Sequence, residues 1–306
     1  MIYTVTFNPA IDYVVWLDRL EPGSINRARQ ELIQFGGKGI NVSVVLGNLG
    51  VDNRALGFLA GFTGQAVEQG LAQMGVQTDF IHLEAGVTRI NVKIKGGEET
   101  ELNGRGPDID PAALGQLFEK LDGLAGPDVL VLAGSIPASL PSDVYEQIMA
   151  RLDGKGVRVV VDAEGELLSK VLRYRPFLIK PNNLELGGIF GRELHTQEEI
   201  RACAAALQER GARNVLVSMA GDGAILLDEQ GGFHQVAAPQ GTVRNSVGAG
   251  DSMVAGFLAG FLQSGSFEQA LRMGAATGSA TAFSDGLATR ETVEGLLRQM
   301  EGKRES

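Results

Sequence analysis

The chain has 306 residues, 44% of them hydrophobic, with 27 Lys and Arg against 37 Asp and Glu, a formal net charge of -10 and one cysteine. That charge balance argues against a nucleic-acid or anionic-membrane surface, because long-range steering of a polyanion would be repulsive, so an anionic ligand must be held by a local site. The lone Cys203, in the run ACAAALQ (202–208), leaves no intrachain disulfide and reads as a buried, inert thiol in a reducing cytoplasm. Residues 1–8 carry no basic region and no uncharged apolar run approaches the roughly 20 residues of a membrane span, so an untargeted cytoplasmic chain is expected.

In chain order, IYTVTF (2–7) reads as the first strand. DYVVWLD (12–18) and ARQELIQF (28–35) also have strand character, and helical spacing follows over 38–49 and 64–74. TRINVKIKGGEETELN (88–103) places two alternating runs around Gly96 and Gly97, the pattern of a hairpin with one face solvated or covering something. Beyond it, DVLVLAG (128–134), VRVVVDA (157–163), FLIKP (177–181) and NVLVSMA (214–220) are near-continuous apolar strands, with helices expected over 142–152 and 197–210. Such strands, separated by helices, require a mostly parallel sheet covered on both faces. The expected fold class is therefore α/β, a three-layer α/β/α arrangement in one domain over 1–306, with a small β-sheet lid from about 12–18, 28–35 and 88–103. The C-terminal EGKRES is expected to fray.

Four stretches carry candidate chemistry. In NSVGAGDSMVAGFLAG, Met253, Val254, Phe257 and Leu258 recur at helical spacing, so a helix begins near Gly248 or Ala249. Its small residues Ala255, Gly256, Ala259 and Gly260 indicate packing on all sides. A glycine-lined helix N-terminus presents free N–H groups to an anion, and Asp251 beside them either complements the helix dipole or accepts a proton there. FGGKGINVSVVLGNLG (35–50) puts glycines, Lys38 and Asn41 before and on a helix, as a tight turn or as a backbone approach to a polar ligand such as a sugar. In KPNNLEL, Asn182 and Glu185 stand three apart after a strand, as a helix cap or as hard oxygen ligands for Mg²⁺. SMAGDGA (218–224) is a strand connection or, at a strand's carboxyl end, a ligand-binding turn. Walker A, dinucleotide and nucleophile-elbow patterns do not occur at these places, and His82, His195 and His234 lack metal-ligand spacing.

Taken together, GGKGIN, KPNNLEL and NSVGAGDSMVAGF, in this order over essentially the whole chain, resemble the signatures of the PfkB (ribokinase-like) family of sugar kinases. MIYTVTFNPAIDYVV, TRINVKIK, ETELNGRGP, LAGSIPASLP and VSMAGDGA are most similar to the bacterial members that phosphorylate fructose 1-phosphate. The resemblance implies a ribokinase-like fold and transfer from Mg-ATP to O6 of fructose 1-phosphate, giving fructose 1,6-bisphosphate. Kinases of tagatose 6-phosphate or fructose 6-phosphate are the alternatives within the family, and a catalytically silent sugar-phosphate or nucleotide sensor is the alternative of another class.

By resemblance, Asp251 is the general base, and Gly248, Ala249 and Gly250 form the anion hole. Asn182 and Glu185 organise Mg²⁺, through water. Lys180, Asn182, Gly250 and the turn Ser218, Met219, Ala220, Gly221, Asp222 and Gly223 contact ATP. Asp12, Gly37, Lys38 and Asn41 match sugar-contacting positions, and Arg89, Asn91, Asn103, Arg105 and Ser135 are candidates for holding the sugar phosphate. The resemblance also implies a homodimer paired through the lid strands, and leaves a monovalent cation open.

Overall fold

The computed structural model describes residues 1–302. Residues 303–306, most of the tail expected to fray, lie outside the described residues; Glu301 and Gly302 still belong to a helix.

The chain begins with β1 (Ile2–Thr6), β2 (Ala10–Trp16), β3 (Gln30–Gly36), α1 (Lys38–Asn48), β4 (Asn53–Ala60) and α2 (Gly61–Gln73). The short strands β5 (Gln77–Thr78) and β6 (Ile81–Leu83) precede the hairpin of β7 (Arg89–Lys95) and β8 (Thr100–Asn103). Helices and strands then alternate: α3 (Pro111–Asp122), β9 (Val129–Ala133), α4 (Val144–Leu152), β10 (Arg158–Asp162), α5 (Gly165–Val171), β11 (Leu178–Ile179), α6 (Asn183–Ile189), α7 (Gln197–Glu209) and β12 (Asn214–Ser218). The edge hairpin β13 (Ala224–Leu227) and β14 (Phe233–Val236) leads into α8 (Ala249–Ser264), α9 (Phe267–Ala282) and α10 (Arg290–Gly302).

A ten-stranded sheet runs β14-β13-β12-β11-β10-β9-β1-β4-β5, with β6 also on β4. Its pairings are parallel from β12 through β5 and antiparallel at the β13 and β14 edge. The apolar strands split by residue parity between two cores. Leu130, Leu132, Val215 and Val217 pack with Leu117 of α3, Tyr145 of α4 and Leu207 of α7. Val129, Val131 and Leu216 pack with Val42 of α1, Val254 of α8 and Leu271 of α9. Because both faces are covered, these strands show no polar alternation, which is why they read as continuous apolar runs.

Residues Asp251 to Gly260 of α8 are all buried. A Cβ at Gly256 would sit 2.3 Å from Thr277 Oγ1, and one at Gly260 would sit 2.8 Å from Met273 Cβ, so the small face allows α9 to lie directly against α8.

The second sheet, β3-β2-β7-β8, stands apart. Its register sorts chemistry by face. Gln34, Asp12, Asn91 and Asn103 are paired in one polar row across the four strands, and Ile33, Tyr13, Val92 and Leu102 form the adjacent apolar row, which projects from the opposite face. The strands expected at 12–18 and 28–35 begin and end within two residues of these bounds, whereas the helix expected from 64 begins at Gly61.

Candidate active site

The parallel strands deliver their last residues to one edge of the sheet, where open α/β sheets bind ligands. Asp162 ends β10, Lys180 follows β11, and Ser218 ends β12. The first turns of α1 and α8 add Lys38, Asn41 and Asp251, and the polar row of the small sheet faces them across a cavity of ≈ 530 Å³ lined by Asp12, Asn91, Lys180 and Asp251.

Asp251 is 6% exposed, and its Oδ2 accepts a hydrogen bond from Asn41 Nδ2 at 2.8 Å. Burial, and next the charge of Asp162, push its carboxyl up to about 6; the Asn41 hydrogen bond and the Lys38 and Lys180 ammonium groups only partly oppose this. Lys180 Nζ is 3.4 Å and Lys38 Nζ 3.9 Å from Asp162 Oδ1, and Lys38 is 3.5 Å from Glu164. Burial works against the charge on Lys38, yet the surrounding carboxylates, Asp162 foremost, outweigh it and hold the ammonium above its ordinary value. Two lysines and two buried carboxylates thus stand where a phosphoryl group would need cations and its acceptor would need a base.

On the other side of α8, a more apolar cavity of ≈ 660 Å³ is lined by Leu184, Val243, Met253, Ala282 and Phe283 together with Ala220, Gly221 and Ala249. Asn182, Ser218 and Gly250 line both cavities, so the two meet at the N-terminus of α8. There Gly248 adopts φ 79 as the N-cap, a left-handed conformation that favours glycine. Ala249 N–H turns back to Ser246 O at 3.2 Å, whereas the N–H groups of Gly250 and Asp251 belong to the first turn, which has no intrahelical acceptors.

The structure brings Asp12, Gly37, Lys38, Asn41, Arg89, Asn91, Asn103, Lys180, Asn182, Glu185, Gly248, Gly250 and Asp251 to the first cavity. Asn91 Nδ2 donates to Asp12 Oδ1 at 2.8 Å, and its buried Oδ1 has no partner among the described residues, which leaves an acceptor for a hydroxyl. Arg89 Nε is committed to Asn8 O at 3.1 Å. Ser135 lines a neighbouring cavity of ≈ 610 Å³ that shares Lys38.

Four expected residues lie elsewhere. Arg105 has a 76% exposed side chain and pairs with Asp108, 2.6 Å away, since a partner three residues on captures it locally. Met219 is buried, Asp222 is exposed, and neither lines either of these two cavities. Gly223 serves packing: a Cβ there would sit 2.0 Å from Val236 O.

The glycines of GGKGIN are likewise required by the fold. A Cβ at Gly37, whose φ is 126, would sit 2.6 Å from Thr6 Cγ2, and one at Gly39 would sit 2.8 Å from Val5 O, so they seat α1 against β1 and thereby aim Lys38 and Asn41. Asn182 and Glu185 form a capping box, each side chain accepting the other's backbone N–H at 2.8 Å. Among the described residues Glu185 Oε1 makes no hydrogen bond, and no cluster of three acidic, histidine or cysteine side chains could hold a metal. This donor set fits a magnesium ion that arrives with its nucleotide and keeps most of its water.

Sequence reasoning missed Asp162, Lys93 and Glu101. Lys93 Nζ lies 3.7 Å from Asp12 Oδ2 and 3.8 Å from Glu101 Oε1 at the cavity wall. The signal for Asp162 was available: it is an acid closing an apolar parallel strand, in VRVVVDA.

A buried carboxylate between a polar and an apolar cavity, with cations beside it, is the arrangement that moving a phosphoryl group from a nucleotide to a small hydroxylated acceptor calls for. The match to the pfkB family carbohydrate kinase model spans residues 5–293, and the chain belongs to that family. It is 46% identical over 300 residues to the 1-phosphofructokinase of Bacillus subtilis (strain 168), covering 98% of each chain. It is 40% identical over 288 residues to the D-tagatose-1-phosphate kinase of Bacillus licheniformis, covering 94% of each. Among solved structures, phosphofructokinase-2 from Escherichia coli in complex with substrates and products superimposes with a TM-score of 0.92 at 28% identity, covering 98% of this chain and 99% of that one. The same protein has been solved with potassium and as a tetrameric inhibited form. Among the described residues no helix is long and apolar enough to cross a membrane.

Proposed function

We propose that the chain transfers the γ-phosphoryl group of Mg-ATP to O6 of fructose 1-phosphate, yielding fructose 1,6-bisphosphate. The observation that carries this reading is the buried Asp251 at the seam of the two cavities, its carboxyl pushed up to about 6 and its Oδ2 held by Asn41. ATP lies in the apolar cavity with its phosphates toward Gly250 and Lys180, and the sugar lies under the polar row of the small sheet. Asp251 accepts the proton of the attacking hydroxyl. The α8 first-turn N–H groups and Lys180 offset charge on the phosphoryl group in transit. Glu185 and Asn182 would hold, through water, a magnesium ion carried in with ATP, which would supply positive charge to offset that of the nucleotide phosphates. Lys38 and Arg89 supply positive charge to the sugar phosphate, which is how a chain of net charge -10 holds two anionic substrates.

The decisive experiment is Mg-ATP turnover against fructose 1-phosphate, fructose 6-phosphate, tagatose 1-phosphate and tagatose 6-phosphate, with and without potassium. Fructose 1-phosphate is expected to have the highest kcat/KM. The name of the Bacillus licheniformis relative favours tagatose 1-phosphate as the second reading; preference for a 6-phosphate would refute both. Ligand binding without ATP turnover would instead indicate a sensor.

The small sheet serves as a lid on a single kinase domain, and its apolar row pairs with that of a second copy. Ile33 is 58% and Leu102 59% exposed on that face, and an uncovered apolar sheet face favours association. The double substitution Ile33→Glu with Leu102→Glu is expected to convert a dimer to a monomer in sedimentation; an unchanged mass would remove the lid from the interface.

A further inference from the structure

Gly134 follows β9, and its backbone is held from both sides. Its N–H donates to Asp162 O at 3.1 Å, and its carbonyl accepts the Tyr145 hydroxyl at 2.9 Å. Tyr145 is 0% exposed, packed on α4 with its ring 5.7 Å from that of Phe7, so the hydroxyl is delivered from inside the core. Gly134 has φ 98, a conformation that glycine adopts freely. In the trans peptide joining Gly134 to Ser135, the carbonyl and the following N–H point in opposite directions. A carbonyl drawn into the core therefore turns the Ser135 N–H outward, toward the ≈ 610 Å³ cavity lined by Gly134, Ser135 and Lys38. Among the described residues, no acceptor within the protein takes this N–H. Lys38 is close by, its Cβ 3.9 Å from where a Cβ on Gly134 would sit.

We infer that Tyr145 is a positioning residue for acceptor binding: by fixing the Gly134–Ser135 peptide, it keeps the Ser135 N–H aimed at the phosphate group that the acceptor sugar carries. Tyr145 touches neither substrate nor reacting atoms. Its hydroxyl selects one of two orientations of a peptide whose glycine would otherwise permit both. The inference rests on the reading of the acceptor as a sugar phosphate, and the Ser135 N–H beside Lys38 extends that anion site beyond Arg89 and Lys38.

Tyr145→Phe keeps the ring and releases the carbonyl. It is expected to raise the KM for fructose 1-phosphate about tenfold or more, the worth of one hydrogen bond to a charged group, with kcat and the KM for ATP within about twofold. Inorganic phosphate, assayed as a competitor of the sugar phosphate, should show a parallel rise in its inhibition constant. Turnover of unphosphorylated fructose should be unchanged by the substitution. A lower Tm with the phosphate and sugar-phosphate constants unchanged would overturn the inference and leave Tyr145 a core residue alone. An equal loss with fructose would overturn it as well, because the effect would then lie outside the phosphate. If the unsubstituted enzyme turned over no sugar phosphate, the parent reading would fail instead, and the affinity of both proteins for inorganic phosphate, measured by direct calorimetric binding, would still decide whether Tyr145 supports an anion site.

Discussion

Asp251→Asn is expected to lower kcat by at least ~10²-fold, the lower range for a positioned general base, with the KM for ATP little changed, and at the same time to stabilise the fold. Both effects come from one environment. In the unfolded chain the carboxyl returns to its ordinary value of 3.8, while in the folded protein burial and Asp162 push it up to about 6. The folded state therefore binds this proton more tightly. The strain of ionisation is absent below the unfolded value, grows as pH rises, and is complete above about 6. At neutral pH it amounts to roughly 3 kcal/mol, an order-of-magnitude figure.

Asn keeps the shape, still accepts from Asn41, and carries no charge, so the variant's Tm should exceed that of the unsubstituted protein by several degrees at pH 7 and by little near pH 4. The kcat/KM profile of the unsubstituted enzyme should fall on the acid side with an apparent pKa near 6, because only the ionised carboxylate accepts the proton. Near-normal turnover of Asp251→Asn would remove its role as base; lost turnover without a gain in Tm would remove the account of its strain.

Lys180→Met should cause the largest loss of stability. The side chains of Lys180 and Asp162 are 6% and 3% exposed and stand 3.4 Å apart. Removing the ammonium strands a buried carboxylate, a change that costs about 3–5 kcal/mol in comparable pairs. Lys38, 3.9 Å from Asp162 but with a third of its side chain reachable by water, holds the loss toward the lower end. Adding Asp162→Asn should recover most of it, because the uncompensated charge is then gone. Urea denaturation of the four proteins of this cycle measures the coupling; strictly additive losses would mean that the two groups do not stabilise each other. Turnover should remain low in the double variant, since a lysine facing the transferring phosphate is lost whether or not the fold recovers.

Much of the scaffold was legible because its signals are local. The apolar runs of β9, β10 and β12 announced strands buried on both faces, and the small residues of α8 announced a helix with neighbours on every side. Gly96 and Gly97 marked the hairpin of β7 and β8. Legibility failed where a residue's role depends on a neighbour distant in sequence. The glycines of GGKGIN read equally well as a turn or as a ligand approach, and contact with Thr6 and Val5 shows that α1 cannot sit on β1 without them. Asn182 and Glu185 read as a cap or as metal ligands, and they form the cap while leaving Glu185 Oε1 without a hydrogen bond. Arg105 carried the right charge, but Asp108 holds it in the open.

By itself, the sequence determined the α/β class, the apolar strands β1, β9, β10, β11 and β12 though not the central β4, the glycine-led start of α8 with an acid in its first turn, and a family resemblance running the length of the chain. Those properties follow from periodicity, backbone freedom and motif order, which need no knowledge of distant contacts. Only the tertiary structure decided that Asp162 and Lys180, at the carboxyl ends of neighbouring parallel strands, set the charge around Asp251, and that Asp12, Asn91 and Asn103 share the face turned toward it. Alternation along a strand separates its two faces without saying which one is inward. The pairing register across β2, β7 and β8, and the packing of that sheet beside α1, settle the direction.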